Sequence, residues 1–316
     1  METTAWAELC RISRRQSGLF LYAQAAAVGV DQNDLCRKVA TGLLERWHRS
    51  VYALAGTPDS WERRALAAQL VSRRRAVLSH RSAGYLHRLC DLQRPDSIEL
   101  VVPRGTRVTA RGARIHTSTW LPRTDRSWAE PFLVTSLERT ICDLAGVVAA
   151  SALRRIVYDA WRRGRTTPQA IDSCLAALGR VRGAAPLRQV LREAEPGLVR
   201  TRSVAEIDLY CLLHDAGFPP PKVNFELFDA VGVLRYILDL AYPEVRLAIE
   251  ADSRTFHGIR PDRLADATRQ RELEAEGWSF LRVTTDQLRR DPAGVVARVR
   301  AELIRLGHPG AQGRCR

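Results

Sequence analysis

The densest set of chemistry-bearing side chains lies between Ile237 and His257, in the stretch ILDLAYPEVRLAIEADSRTFH, which carries Asp239, Glu250, Asp252 and His257. Residues 233–240 and 245–251 are β-branched and apolar enough to be strands, with Pro243-Glu244 as the turn between them. A turn centred there sets Asp239 opposite Ala248 and diagonal to Glu250, and same-face diagonal neighbours stand roughly 7–8 Å apart. Asp252 falls on that face by period two, while Leu238, Leu240, Leu247 and Ile249 anchor the other. Carboxylates converging from a sheet edge form a hard-oxygen site suited to Mg²⁺, with Asp239 and Glu250 as the expected ligands. Such a site suits the cutting of phosphodiester bonds, with His257 assisting proton transfer.

Each of these residues also has a plainer reading. Asp239 can bond backbone amides near a turn, Asp252 can cap a loop, and His257 can be an ordinary loop histidine. Asp239 nonetheless sits between Leu238 and Leu240, where a carboxylate without a partner is costly. Asp266 and Arg269, three apart on a helix, can be a surface ion pair. Glu206 closes the pattern Ser203-x-x-Glu206, which is a capping box.

The elements that must position these groups follow from pattern. From Ser203 the order is helix 204–216, strands 223–228, 233–240 and 245–251, helix 262–276, strand 279–283 and helix 292–306; Gly217 and Gly277 stop the first two helices. Upstream, residues 5–16 read as a helix, Leu19–Val28 as a second, and Asp31 caps a third over Gln32–Thr41. The sequence LLERWHRSVYALAG fits two short strands forming a wing. Three helices and a wing make a winged helix-turn-helix, whose third helix presents Gln32, Asn33, Arg37 and Lys38 to base edges and phosphates, with Arg46, His48 and Arg49 on the wing. Between the two regions, Trp61–Val71 and His80–Leu89 read as helices, 97–103 and 113–118 as strands, and Thr135-Ser-Leu-Glu138 as a capping box opening a helix to Ala145. His80 and His87, two turns apart on one helix face, have no third ligand and read as ordinary helix histidines. Arginine-rich helices over 168–178 and 184–194 form a connector, and Glu195-Pro196-Gly197 is a boundary. The expected class is multidomain α+β: 1–58 winged helix, 59–165 a mixed α/β region, 166–200 a helical connector, 201–308 a nuclease-like α/β core, and 309–316 a disordered tail.

Composition narrows the partners. The chain has 316 residues, 46% of them hydrophobic, and a formal charge of +14. Its sequence pI near 10.2 favours a polyanion. Lysine occurs only at Lys38 and Lys222, so arginine, which pairs with phosphate bidentately, carries nearly all the positive charge. Seven scattered cysteines without a C-x-x-C pair argue against a zinc module or a disulfide framework. No apolar run approaches the length needed to span a bilayer, and Met1-Glu2-Thr3-Thr4 lacks the features of a signal peptide, so a cytoplasmic location is expected.

Residues 203–307 resemble the domain-of-unknown-function 559 family, relatives of the very-short-patch-repair (Vsr) endonucleases within the PD-(D/E)XK superfamily. The matching elements are Ser203 to Glu206, Gly217-Phe218-Pro219, Leu238 to Pro243, Ile249-Glu250-Ala251-Asp252, Phe256-His257, Asp266, Arg269, and Gly277 to Thr284. The resemblance implies a PD-(D/E)XK core, an acid role for Glu206, Asp252 within the site, and His257 in place of the usual lysine. Where the superfamily carries lysine after Glu-x, this chain carries Asp252. Residues 5–165 resemble the AbiEi-like antitoxin and transcriptional-regulator family through Gly42, Val51 to Leu54, Leu78 to Ala83, and Val134 to Leu144.

Two function classes follow. One is a Mg²⁺-dependent DNA endonuclease delivered by a winged helix, with Arg254, Arg260 and Arg269 holding the DNA backbone. The other is a non-catalytic DNA-binding regulator, an antitoxin of a type IV system whose partner is a nucleotidyltransferase-like toxin.

Overall fold

The computed structural model describes residues 2–72, 75–110, 112–201, 203–252 and 261–310, so His257, Arg254 and Arg260, as well as most of the expected 309–316 tail, lie outside the described residues. The chain forms two compact units. One holds Met1–Val148 with Ala170–Ala184, and the other holds Ala149–Gln169 with Ala185–Arg316. The whole is mixed α and β, with several separate sheets. Among the described residues no helix is long and apolar enough to cross a membrane.

The first unit begins with α1 (Glu2–Arg14), β1 (Leu19–Leu21), α2 (Tyr22–Ala27), α3 (Gln32–Ala40), β2 (Leu44–His48) and β3 (Val51–Leu54), the strands ordered β1-β3-β2. Leu19–Val28 is therefore not one helix. Leu19-Phe20-Leu21 pairs with Val51–Ala53, and period-two alternation sends Leu19 and Phe20 into different buried clusters. A helical run could not serve both. Asp31 caps α3 as its sequence suggests, accepting the Asp34 N–H.

Next come α4 (Trp61–Val71), β4 (Val77–Leu78), α5 (His80–Leu86), β5 (Ile98–Pro103), β6 (Ala113–Ser118), β7 (Arg126–Ala129), β8 (Phe132–Thr135) and α6 (Leu137–Leu144). Their sheet runs β6-β5-β4-β8-β7, with β4 and β8 parallel. The expected capping box at Thr135 is displaced: Thr135 ends β8 and its hydroxyl bonds Thr140, while Ser136 caps α6 by accepting the Arg139 N–H. Helix α5 stops at Leu86, before the left-handed Arg88 (φ 53°). His80 and His87 do not share a helix face, because His80 itself has φ 50° at the helix start.

After α6 the chain forms α7 (Ala150–Arg162), α8 (Pro168–Leu178) and α9 (Ala184–Arg192). Unit two continues with α10 (Val204–Asp215), β9 (Lys222–Phe228), β10 (Leu234–Tyr242), β11 (Leu247–Asp252), α11 (Pro261–Ala275), β12 (Ser279–Thr284), α12 (Thr285–Arg290) and α13 (Pro292–Arg305). The sheet order is β12-β11-β10-β9; β9, β10 and β11 are antiparallel, and α11 makes the crossover that lets β12 lie parallel to β11. Helix α7 packs on α10, and α10 packs on β10 and β11. The short α12, unforeseen in the sequence, opens on a capping box between Thr284 and Gln287.

The end of the 170–184 segment in unit one depends on Gly183, which has φ +80° and whose Cβ, if present, would lie 1.9 Å from the Ala145 carbonyl oxygen. Neither the backbone conformation nor that backbone oxygen can yield cheaply. Gly183→Ala should destabilise unit one by more than about 2 kcal/mol, read as a fall in the urea midpoint; an unchanged midpoint would remove this close approach from the account.

Candidate active site

The β10–β11 connection sets the geometry of the site. Pro243–Val245 makes a 3-10 turn and Arg246 is left-handed at φ 48°, so the first pair beyond the connection is Tyr242 with Leu247, followed by Ala241 with Ala248 and Leu240 with Ile249. This corrects the expected register: Asp239 does not face Ala248. The turn is centred one residue later than Pro243-Glu244, and continuing the observed register sets Asp239 directly opposite Glu250. Directly opposed Cβ atoms stand roughly 4.5–5.5 Å apart, closer than a diagonal pair.

Both carboxylates are half-buried and tightly held. Asp239 Oδ2 accepts the Ala251 N–H at 3.0 Å. Glu250 Oε1 lies 3.0 Å from Nη2 of Arg269, and Oε2 lies 3.8 Å from Nε of Arg282. Arg282 comes from the adjacent position of β12, in register with Glu250. Arg269 comes from α11, and its Nη2 also donates to the Ile237 carbonyl at 2.8 Å, while its guanidinium stands 5.5 Å from the centroid of the Tyr236 ring. One helical turn on from Arg269, Leu273 packs with Ala241, Ala248 and Trp278. Helix α11 is further tied to β10 by Arg235, which pairs with Glu272 and Glu276, and by the Tyr236 hydroxyl, which donates to Glu272 at 2.5 Å.

Asp252 ends β11, half-buried, in register with Thr284. Glu206 is buried at the start of α10, where its Oε1 accepts the Ser203 N–H at 3.0 Å and Ser203 Oγ accepts the Glu206 N–H at 3.3 Å, so its capping box is formed. The side chain of Asp266 falls outside the described ones. Among the described residues no three His, Cys, Asp or Glu side chains converge as a metal cage. Two opposed carboxylates are nonetheless a sufficient protein contribution for Mg²⁺, which keeps several waters and takes substrate phosphate oxygens.

The side chains expected to read DNA are spread over α3 and the β2–β3 hairpin. Asn33 is exposed. Arg37 is exposed and pairs with Asp34 on its own helix. Gln32 donates to the Tyr52 hydroxyl at 3.1 Å, and Lys38 Nζ sits 4.4 Å over the Trp6 ring. Arg49 is exposed on the hairpin, and its carbonyl accepts from Arg46.

A second titratable cluster, missed in the sequence, lies at the carboxyl ends of the parallel β4 and β8. His80 stacks on His116 with centroids 3.7 Å apart, and His80 Nδ1 is 2.9 Å from Ser79 Oγ. Buried Glu99 accepts the Arg81 N–H at 2.8 Å and lies 3.4 Å from His116 Nε2. Arg139 joins Asp143 and Asp125, each at 2.9 Å. Burial, reinforced by His116, pushes the His80 imidazole down to about 3. Burial pushes Asp143 up to about 6 despite Arg139. Their sequence separation hid the cluster; the left-handed His80 is a backbone feature that no residue pattern announces.

A family model described as REase_MTES_1575, a restriction-endonuclease-like domain, matches residues 222–303, the span that holds β9 to β12 and most of α13. Two uncharacterized proteins of Mycobacterium tuberculosis, MT2308 of strain CDC 1551 / Oshkosh and Rv2248 of strain H37Rv, are each 28% identical over 151 residues, 48% of this chain and 54% of theirs. The chain thus spans about half the length of the curated relatives it matches. A solved structure, the RV2827C protein from Mycobacterium tuberculosis, aligns at TM-score 0.44 and 15% identity, covering 64% of this chain and 82% of that one.

The titratable cluster predicts the acid response. In the unfolded chain His80 binds a proton near 6.5, and in the folded one only near 3, so stability present above 6.5 is lost as the pH falls toward 3. Asp143 acts oppositely: its contribution is full below 3.8 and is lost as the pH rises through about 6. His80→Gln should remove the acid-destabilising part, so that the two stability profiles diverge by about 1–2 kcal/mol near pH 5, relative to pH 7. Parallel Tm-against-pH curves for the two proteins would contradict this.

Proposed function

We propose that the protein is a DNA-binding, Mg²⁺-dependent endonuclease whose second unit is a PD-(D/E)XK core and whose first three helices and β-hairpin act as a winged helix. The observation that carries this reading is the β10–β11 register, which continued by one pair sets Asp239 opposite Glu250, within a restriction-endonuclease-like span. Asp239 and Glu250 would hold the ion, with Asp252 and His257 beside them. Mg²⁺ bound there supplies a water of lowered pKa and neutralises charge on the phosphate. The chain's own groups orient the rest. The Ala251 N–H fixes the rotamer of Asp239, and Arg269 and Arg282 flank Glu250, standing where a cation can meet a phosphate oxygen in a chain that carries Asp252 in place of lysine. Glu206 serves as the cap of α10, the helix packed beneath β10 and β11. Asn33, Arg37, Lys38 and Arg49 would contact DNA; Gln32 would do so only after releasing Tyr52.

The pairing of both Glu250 oxygens with arginines favours a second reading, a DNA-binding regulator whose nuclease-like unit does not cut. Plasmid assays separate the two. Supercoiled DNA should be nicked or linearised with Mg²⁺ and left intact with EDTA, and Asp239→Asn or Glu250→Gln should lower the rate on the order of 100-fold or more. Cleavage retained in Asp239→Asn sinks the site assignment, and tight binding without metal-dependent breaks selects the regulator. For the front unit, Arg37→Ala should weaken DNA binding and flatten the plot of log K against log salt by about one phosphate contact. An unchanged slope would move the DNA interface elsewhere.

A further inference from the structure

Cys142 lies on α6 and Cys174 on α8, distant in sequence but within the same compact unit. The Cys142 thiol is fully buried and points at α8, with Sγ 3.8 Å from the Ile171 carbonyl oxygen. Ile171 and Cys174 are three apart on that helix and so share a face. The neighbouring Cys174 thiol, together with burial, holds Cys142 protonated well above the ordinary thiol range. Both are unbridged, and Cys174 is half-exposed. Cys174 is thus the more exposed residue of the pair and Cys142 the buried one.

The segment enclosed by the pair gives the contact its meaning. The chain leaves the first unit after Val148, contributes Ala149–Gln169 to the second, and returns at Ala170. Cys142 stands just before the exit and Cys174 just after the return. We propose that Cys142 and Cys174 are a reversible oxidation site, closing to a disulfide that staples α8 to α6 at the chain's re-entry point, with a peroxide as the oxidant. The Cys174 thiolate attacks the peroxide O–O bond, giving a sulfenic acid and one water from hydrogen peroxide. The Cys142 thiol then attacks that sulfur, its proton leaving with the hydroxyl as a second water. Two thiols are oxidised and one peroxide is reduced. The order follows from burial: the more exposed Cys174 meets the oxidant first and the buried Cys142 resolves the sulfenic acid.

The test treats the full chain with hydrogen peroxide, blocks remaining thiols with N-ethylmaleimide, and maps peptides by mass spectrometry. The expected product is one cross-linked peptide pair containing Cys142 and Cys174, formed in the native state and reversed by dithiothreitol. Its Tm should rise on the order of 5–10 °C, because the cross-link closes a loop of about thirty residues. Cys174→Ser should abolish both the cross-link and the shift, whereas Cys36→Ser, at an exposed position on α3, should leave them intact. A cross-link that appears only after denaturation, or a Cys174 that over-oxidises while Cys142 remains alkylatable on unfolding, overturns the proposal. Should Cys142→Ser fail to fold, Cys174→Ser and the wild-type peptide map still decide the matter.

Discussion

Two carboxylates set opposite each other on neighbouring strands repel, and the centre of the second unit is organised around that repulsion. At roughly 5 Å and an effective dielectric near 20, two bare charges would cost about 3 kcal/mol, a large fraction of a domain's net stability. The observed contacts answer it on three sides: the Ala251 amide on Asp239, and Arg269 and Arg282 on Glu250. Arg269 can reach only because α11 lies close to the sheet. That closeness depends on Ala241 and Ala248, whose small side chains leave room for Leu273 one turn beyond Arg269. Small residues in the strand, a leucine on the helix and a guanidinium one turn away are therefore parts of one arrangement, and the acids cannot stand as a pair without it.

Much of this could be read from residue order. The strands, α11 and the acids of the second unit follow from apolar runs punctuated by Gly217, Gly277 and Pro243, because those signals are local. The register was not local. It turned on Arg246 adopting a left-handed conformation, which lengthened the connection and brought Asp239 opposite Glu250. Parity survived the shift, so the two acids share a face in either register. Residues 19–28 misled for another reason: LFL is too short to show a period, and only its partner strand, Val51–Ala53, makes it a strand. The cluster of His80, Glu99, His116, Arg139 and Asp143 was illegible because four separate elements supply it.

The arginines of the chain divide by exposure into those the fold uses and those it leaves for a partner. Arg37 is 75% exposed where it meets Asp34, and such a same-helix surface pair is worth about 0.3–0.5 kcal/mol, too little to hold the guanidinium back from a phosphate. Arg139 is 3% exposed and gripped by two aspartates; removing either partner would strand a buried charge. A net charge of +14 therefore overstates the positive surface in one respect and understates it in another. Buried guanidiniums contribute nothing to DNA contact, whereas exposed ones that look neutralised remain available.

Arg269 falls between these cases, 27% exposed against a Glu250 that is 19% exposed. Its departure would take from Glu250 the guanidinium held at 3.0 Å and leave the acid facing Asp239. Its release from Glu250 becomes inexpensive only if another positive charge takes its place between the acids. On the proposed chemistry, a cation held by Asp239 and Glu250 would replace the charge of Arg269, whose guanidinium would stay tethered to the Ile237 carbonyl, within reach of a phosphate at the site. A site compensated in this way would exclude a weakly bound stray cation, since an entering ion would have to outcompete a positioned guanidinium. On the proposed chemistry it would gain most when a phosphate arrives to receive the displaced charge, which would couple occupancy of the site to the presence of nucleic acid.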